Sequence, residues 1–199
     1  MNRMNRRRTI VRVAAGAATI AAGVMWLAAG ATDATAGEAS PPLSARAGED
    51  LARAAARAWS ADARLVYVEN DEPIGPDGRS ARWGYLFRSE ARAASRVYSV
   101  QGGGIRVAAD PPYDFDAPPL PAAWIDSDAA RRIADEAEGT RWLAEHGGRV
   151  RAMFLLRGVM DPERPDAPTW AVVYEADGAP GLWVVVDAAR GKVVKRWRG

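Results

Sequence analysis

The chain has no cysteine and a single histidine in 199 residues. The first absence removes disulfide staples, thiol catalysis and zinc–thiolate sites, so stability outside the cytoplasm must come from packing. The second leaves His146 as the sole imidazole for a Ser-His-Asp relay and makes a histidine metal cluster impossible. His146 stands beside Gly147 and Gly148 at the end of a helical pattern. A histidine there interacts favourably with the helix dipole, and that structural role is the one expected of it. The His-Glu-x-x-His motif of metallopeptidases is also absent. Gly102-Gly103-Gly104 is followed by neither a helix nor a Lys-Ser/Thr pair, so it reads as a hairpin turn and not as a phosphate cradle.

A lasting excess of positive charge is lacking too. The chain carries 27 Lys and Arg against 25 Asp and Glu, with a pI near 9.2. The excess belongs to a leader. Arg3, Arg6, Arg7, Arg8 and Arg12 precede an uncharged stretch from Val13 to Thr32 and the small-residue site Ala34-Thr35-Ala36. This pattern reads as a secretory signal peptide over residues 1–36. Arg7-Arg8-Thr9-Ile10-Val11 resembles a twin-arginine export signal, and the weakly apolar Ala/Gly core suits that route. A retained anchor is the alternative, since the stretch approaches the ~20 residues of a spanning helix. Without the five Arg and Asp33 of the leader, 22 basic and 24 acidic side chains remain, a net charge of about −2. No basic stripe is left to track phosphates, and nucleic acid is excluded as a partner. The remaining 163 residues, with seven Trp, are enough to build a core.

What is present is near self-similarity. A shift of 87 positions lays Trp83-Gly-Tyr85-Leu-Phe87 on Trp170-Ala-Val172-Val-Tyr174, Leu65–Glu69 on Ala152–Leu156, and Gly104 on Gly191. Leu51, Ala54, Ala55, Ala58 and Trp59 recur at helical spacing and predict an amphipathic helix. Period-two segments then predict strands at Leu65–Glu69, Trp83–Ser89, Arg96–Val100 and Ile105–Ala108. Pro111, Pro112, Pro118, Pro119 and Pro121 mark residues 110–124 as a linker. Asp126 or Ser127 caps a second helix with Ala130, Ile133, Ala134 and Ala137 on its apolar face. Strands follow at Val150–Leu156, Trp170–Tyr174, Leu182–Val186 and Lys192–Trp197. The expected fold class is therefore α+β, with two tandem repeats over residues 43–109 and 125–199. Each would be a helix packed on its own small antiparallel sheet, a helix and then a four-strand meander.

Residues 125–197 carry a further pattern: Ile125-Asp-Ser-Asp-Ala-Ala130 opening a helix, then Trp170-Ala-Val-Val-Tyr174, then Val184-Val-Val-Asp187-Ala-Ala-Arg-Gly191-Lys-Val-Val. This resembles the PepSY domain, in which a helix packs on a small antiparallel sheet. Residues 43–109 resemble it less, since Val100-Gln101 replaces the Asp-Ala pair. The resemblance implies an exported protein of binding character, because such domains occur in propeptides of secreted metallopeptidases and are linked there to inhibition and chaperoning. It brings no catalytic residues, metal or cofactor.

Among candidate sites, Asp110, Asp114 and Asp116 offer oxygens to calcium, but their spacing is not that of an EF-hand and a solvated linker is expected. Asp187 is a possible ligand contact whose ordinary role is to bond its own turn. Trp83, Tyr85, Phe87, Trp170, Val172 and Tyr174 share one side of their strands and are expected under the helices. Trp183 has the opposite parity, and Trp197 lies near the chain end. These two are the best candidates for contact with a partner, because exposed Trp is enriched at interaction hot spots. The function expected is a noncatalytic, exported protein-binding module, an inhibitor or chaperone of a secreted peptidase. The alternative is an envelope adaptor tethered by Val13–Thr32.

Overall fold

A computed structural model describes residues 10–12, 41–112, 114–158, 160–161 and 163–199. The leader readings therefore fall outside the described residues, apart from the backbone of Ile10–Arg12. The elements run β1 (Ile10–Arg12), α1 (Glu49–Trp59), β2 (Arg64–Asn70), β3 (Trp83–Ser89), β4 (Ala94–Gln101), β5 (Gly104–Ala109) and β6 (Asp114–Asp116). They continue with α2 (Ser127–Ala134), a π turn (Asp135–Gly139), α3 (Thr140–His146), β7 (Arg149–Arg157), β8 (Pro168–Glu175), β9 (Leu182–Asp187) and β10 (Lys192–Arg198).

The expectation of two separate helix-on-sheet repeats is overturned. The strands form one antiparallel sheet of eight, in the order β10-β9-β8-β7-β2-β3-β4-β5. Strands β2 and β7 join the two runs through Tyr67↔Leu156, Val68↔Leu155 and Glu69↔Phe154. The Asn70 carboxamide extends the seam by accepting from the Met153 amide at 2.7 Å. The physical reason lies in the strands themselves. Left apart, β2 and β7 would each present an apolar edge with unpaired backbone groups, and pairing removes both edges at once. Trp83 and Trp170 then meet edge-on at 6.0 Å, so the core beneath the helices is continuous across the seam.

Helix α1 has Glu49 and Asp50 in its first turn and Arg57 in its last, each favourable to the dipole. Its buried residues are Glu49, Ala52 and Ala56, while Leu51, Ala54 and Ala58, expected inside, are exposed. Small residues there bring the helix close to the sheet, and the bulk comes from Trp83, Tyr85 and Phe87 below. Asp126 caps α2, accepting from the Ser127 amide at 2.7 Å. The indole N–H of Trp83 donates to Leu43 O and that of Trp170 to Ile125 O, both at 2.8 Å. Each bond fixes a strand to the segment that enters a helix.

The helices cover one face of the sheet. On the other, here called the open face, Val66, Tyr67, Leu86, Val97, Phe154, Leu156, Ala171, Val173 and Val185 form a second apolar cluster. The proline-rich segment crosses it, with Phe115 and Ala117 buried there, and Leu120 N bonded to Leu65 O at 2.7 Å. Strand β1 pairs in parallel with β6. Among the described residues, no helix is long and apolar enough to cross a membrane.

Candidate functional site

Parity along β9 places Leu182, Val184 and Val186 under the helices and turns Trp183 and Val185 to the open face. Trp197 on β10 lies directly across from Trp183. Their rings stack at 5.2 Å and 17°. Phe154 on β7 meets Trp183 edge-on at 6.1 Å. This contact spans the whole width of β8, and it is possible because Ala171, paired with Phe154, puts no bulk between the rings. Tyr67 continues the row, stacked on Phe154 at 6.0 Å. An aromatic band thus runs from β2 to the edge strand β10. At its inner end the rings are buried; at its outer end Trp183 and Trp197 remain half-buried, and the Lys195 ammonium lies 5.3 Å from the Trp197 ring. The two tryptophans singled out in the sequence are brought together in one ledge, and Phe154 is the member that sequence reasoning missed.

Asp187 is not part of this ledge. Its carboxylate is buried and accepts from the amides of Ala189 and Arg190 at 2.8 and 3.1 Å, and from Arg164 at 2.5 Å. Burial alone would raise its pKa, but Arg164 and the two amides outweigh that and hold it below the usual carboxylate range. It braces the β9–β10 turn. His146 closes α3 beside Trp142, ring to ring at 5.0 Å, and Gly147 follows in the left-handed conformation of a helix cap. Asp110 pairs with Arg96 at 3.2 Å; the side chains of Asp114 and Asp116 lie outside the described residues. Trp83, Tyr85, Phe87, Trp170, Val172 and Tyr174 all sit in the core under the helices. Among the described residues, no group of three or more His, Asp or Glu converges as metal ligands.

A second polar feature escaped the sequence reading. Glu69 and Asp71 point to the open face beside Gly84, whose missing side chain leaves a notch: a Cβ there would come within 2.7 Å of Asp71 Oδ1. Ser99 Oγ donates to Asp71, Tyr67 O–H donates to Glu69 at 3.1 Å, and Arg82 lies 3.7 Å from Asp71. Burial pushes both carboxyls up, Glu69 strongly, and each also feels a neighbouring acid. The signal was available in Tyr67-Val-Glu69-Asn-Asp71, where period two puts both acids on one side. Elsewhere, an open cleft of about 550 Å³ separates the 76–77 turn from α2, with Arg131 paired to Asp135 at 2.7 Å.

No protein-family profile matches the chain, and no curated protein does. Among solved structures, a candidate lipoprotein of Clostridium difficile 630 is similar at a TM-score of 0.48 and 13% identity, over 72% of this chain and 87% of that one. A likeness of that degree shows neither a family nor a function.

Proposed function

We propose that the chain is an exported, noncatalytic protein-binding module of the cell envelope. The observation that carries this reading is the Trp183–Trp197 stack at the outer end of the aromatic band. Trp183 packs on Phe154 and Trp197 stacks on Trp183, so two large, already packed rings offer contact area with less side-chain entropy to lose on binding, as interface anchors do. The likeness of residues 125–197 to PepSY domains supports a partner among secreted peptidases, which the module would inhibit or chaperone by covering surface. The leader pattern supports export; a retained Val13–Thr32 segment would make the same face that of a tethered adaptor.

The test immobilises the chain in the form the cell accumulates, passes the organism's own envelope and secreted fractions over it, and compares it with a Trp183→Ala, Trp197→Ala variant of equal circular dichroism. A secreted peptidase held by the native chain and lost by the variant supports the reading. Equal retention by both removes the aromatic ledge from the account.

A further inference from the structure

The chain contains only two lysines, Lys192 and Lys195, against 25 arginines, and both lie on β10. Both are exposed, as are Arg196 and Arg198 on the same strand. Strand β10 ends the sheet, with no strand outside it among the described residues, so its outer backbone groups are open to pairing. It carries four basic residues and no acid. Arg196 and Arg198 reach toward the helices, where Glu138 and Glu145 accept them at 2.8–3.9 Å. Among the described residues no carboxylate pairs with Lys192 or Lys195, which leaves a positive excess along this edge; the near-balanced charge outside the leader hid this short basic stripe, and the expectation that none remains is corrected. The opposite edge, β5, carries only Arg106.

Resting on the protein-binding reading, we propose that β10, over Lys195–Arg198, accepts an extended acidic segment of a partner protein as a ninth strand. Charge selects the occupant. A second copy of this chain would set the unpaired Lys192 and Lys195 of one edge against those of the other and repel, whereas an acidic strand brings the opposite charge. Lysines on an edge strand and the bulge between Val193 and Lys195 discourage indiscriminate pairing. They leave the Lys195–Arg198 stretch open to a strand of opposite charge. Period two sets the side chains: acids of the incoming strand fall beside Arg196 and Arg198 on the helix side, while Lys195 lies with Trp197 on the open face of the same strand. Apolar residues of that strand extend the aromatic band past Trp197.

The probe is a blocked octapeptide alternating Glu and Val, compared with its Lys-Val counterpart and with a Glu-Val peptide N-methylated at alternate residues. Because both lysines lie on β10, their acetylation by an amine-reactive reagent, read by mass spectrometry on the full chain, reports this edge directly. At about 5 mM peptide, a concentration suited to a weak isolated strand, the Glu-Val peptide should slow Lys195 acetylation about threefold or more. That protection should shrink at high salt, and Arg196→Glu should weaken it about tenfold. The Lys-Val and N-methylated peptides should give none. Protection by either control, or none by the Glu-Val peptide, overturns the proposal. Peptidase retention that survives Lys192→Glu with Lys195→Glu also overturns it, while leaving protein binding through the tryptophans intact; retention insensitive to the tryptophans defeats the broader reading instead.

Discussion

A buried acid next to another acid is costly unless it keeps its proton, and Glu69 and Asp71 are such a pair. Their pKa values are raised in the fold by burial and by neighbouring acids, with Arg82 and the Ser99 and Tyr67 hydroxyls only partly offsetting this for one or the other. The folded chain therefore binds protons that the unfolded chain has already released. Their contribution is fully present below the unfolded carboxylate values near 4, and is lost as pH rises through the raised folded values. Asp62, held low by the Ala91 amide and the Ser89 and Ser60 hydroxyls, acts in the opposite sense, as does Asp187, but only as pH falls below about 4. Urea midpoints are thus expected to rise as pH is lowered from about 8 toward 5, by at most about 1.4 kcal/mol per pH unit for each proton. Asp71→Asn and Glu69→Gln should each flatten that slope. A wild-type midpoint that falls over this range would show that both carboxylates are comfortable as anions.

The elements differ in how far their own residues foretell them. Period two marked all eight sheet strands, because alternating Val, Tyr and Trp in short runs bounded by Gly and Pro have few other stable uses. The cap at Asp126 was legible for a similar local reason. The face of α1 was not: in an Ala-rich helix, Leu51 and Ala52 compete on hydropathy, and closeness to the sheet decides in favour of Ala52 and Ala56. Nor was the π turn at Asp135–Gly139, since its cause is distant in sequence. Tyr174 O–H donates to Asp135 at 2.8 Å, and its ring fills the space over Gly139, where a Cβ would overlap the phenol oxygen. Gly→Ala inside a helix ordinarily stabilises by about 1 kcal/mol. Here Gly139→Ala is expected to destabilise by about 1–3 kcal/mol through overpacking, and pairing it with Tyr174→Phe should recover little, because most of the ring remains. Thermal or urea unfolding of the two variants checks the sign.

On the scale of the molecule, the pairing of β2 with β7 was hidden because no local pattern states which of two apolar strands will adjoin another. The aromatic ledge was half legible: parity and position marked Trp183 and Trp197, but their stacking and the reach of Phe154 across Ala171 depend on sheet register. One sheet and one continuous core predict a single unfolding transition, with tryptophan fluorescence and far-ultraviolet dichroism coincident; two separated transitions would restore independent halves. The functional claim is that the Trp183–Trp197 end of the open face meets a protein. It is tested most directly by Trp197→p-benzoylphenylalanine, which keeps an aromatic ring in place, irradiated in the living cell beside an Arg57→p-benzoylphenylalanine control on the exposed side of α1. The account predicts a discrete crosslinked species from position 197 and none from position 57. No adduct at 197, or the same adducts from both positions, would contradict it.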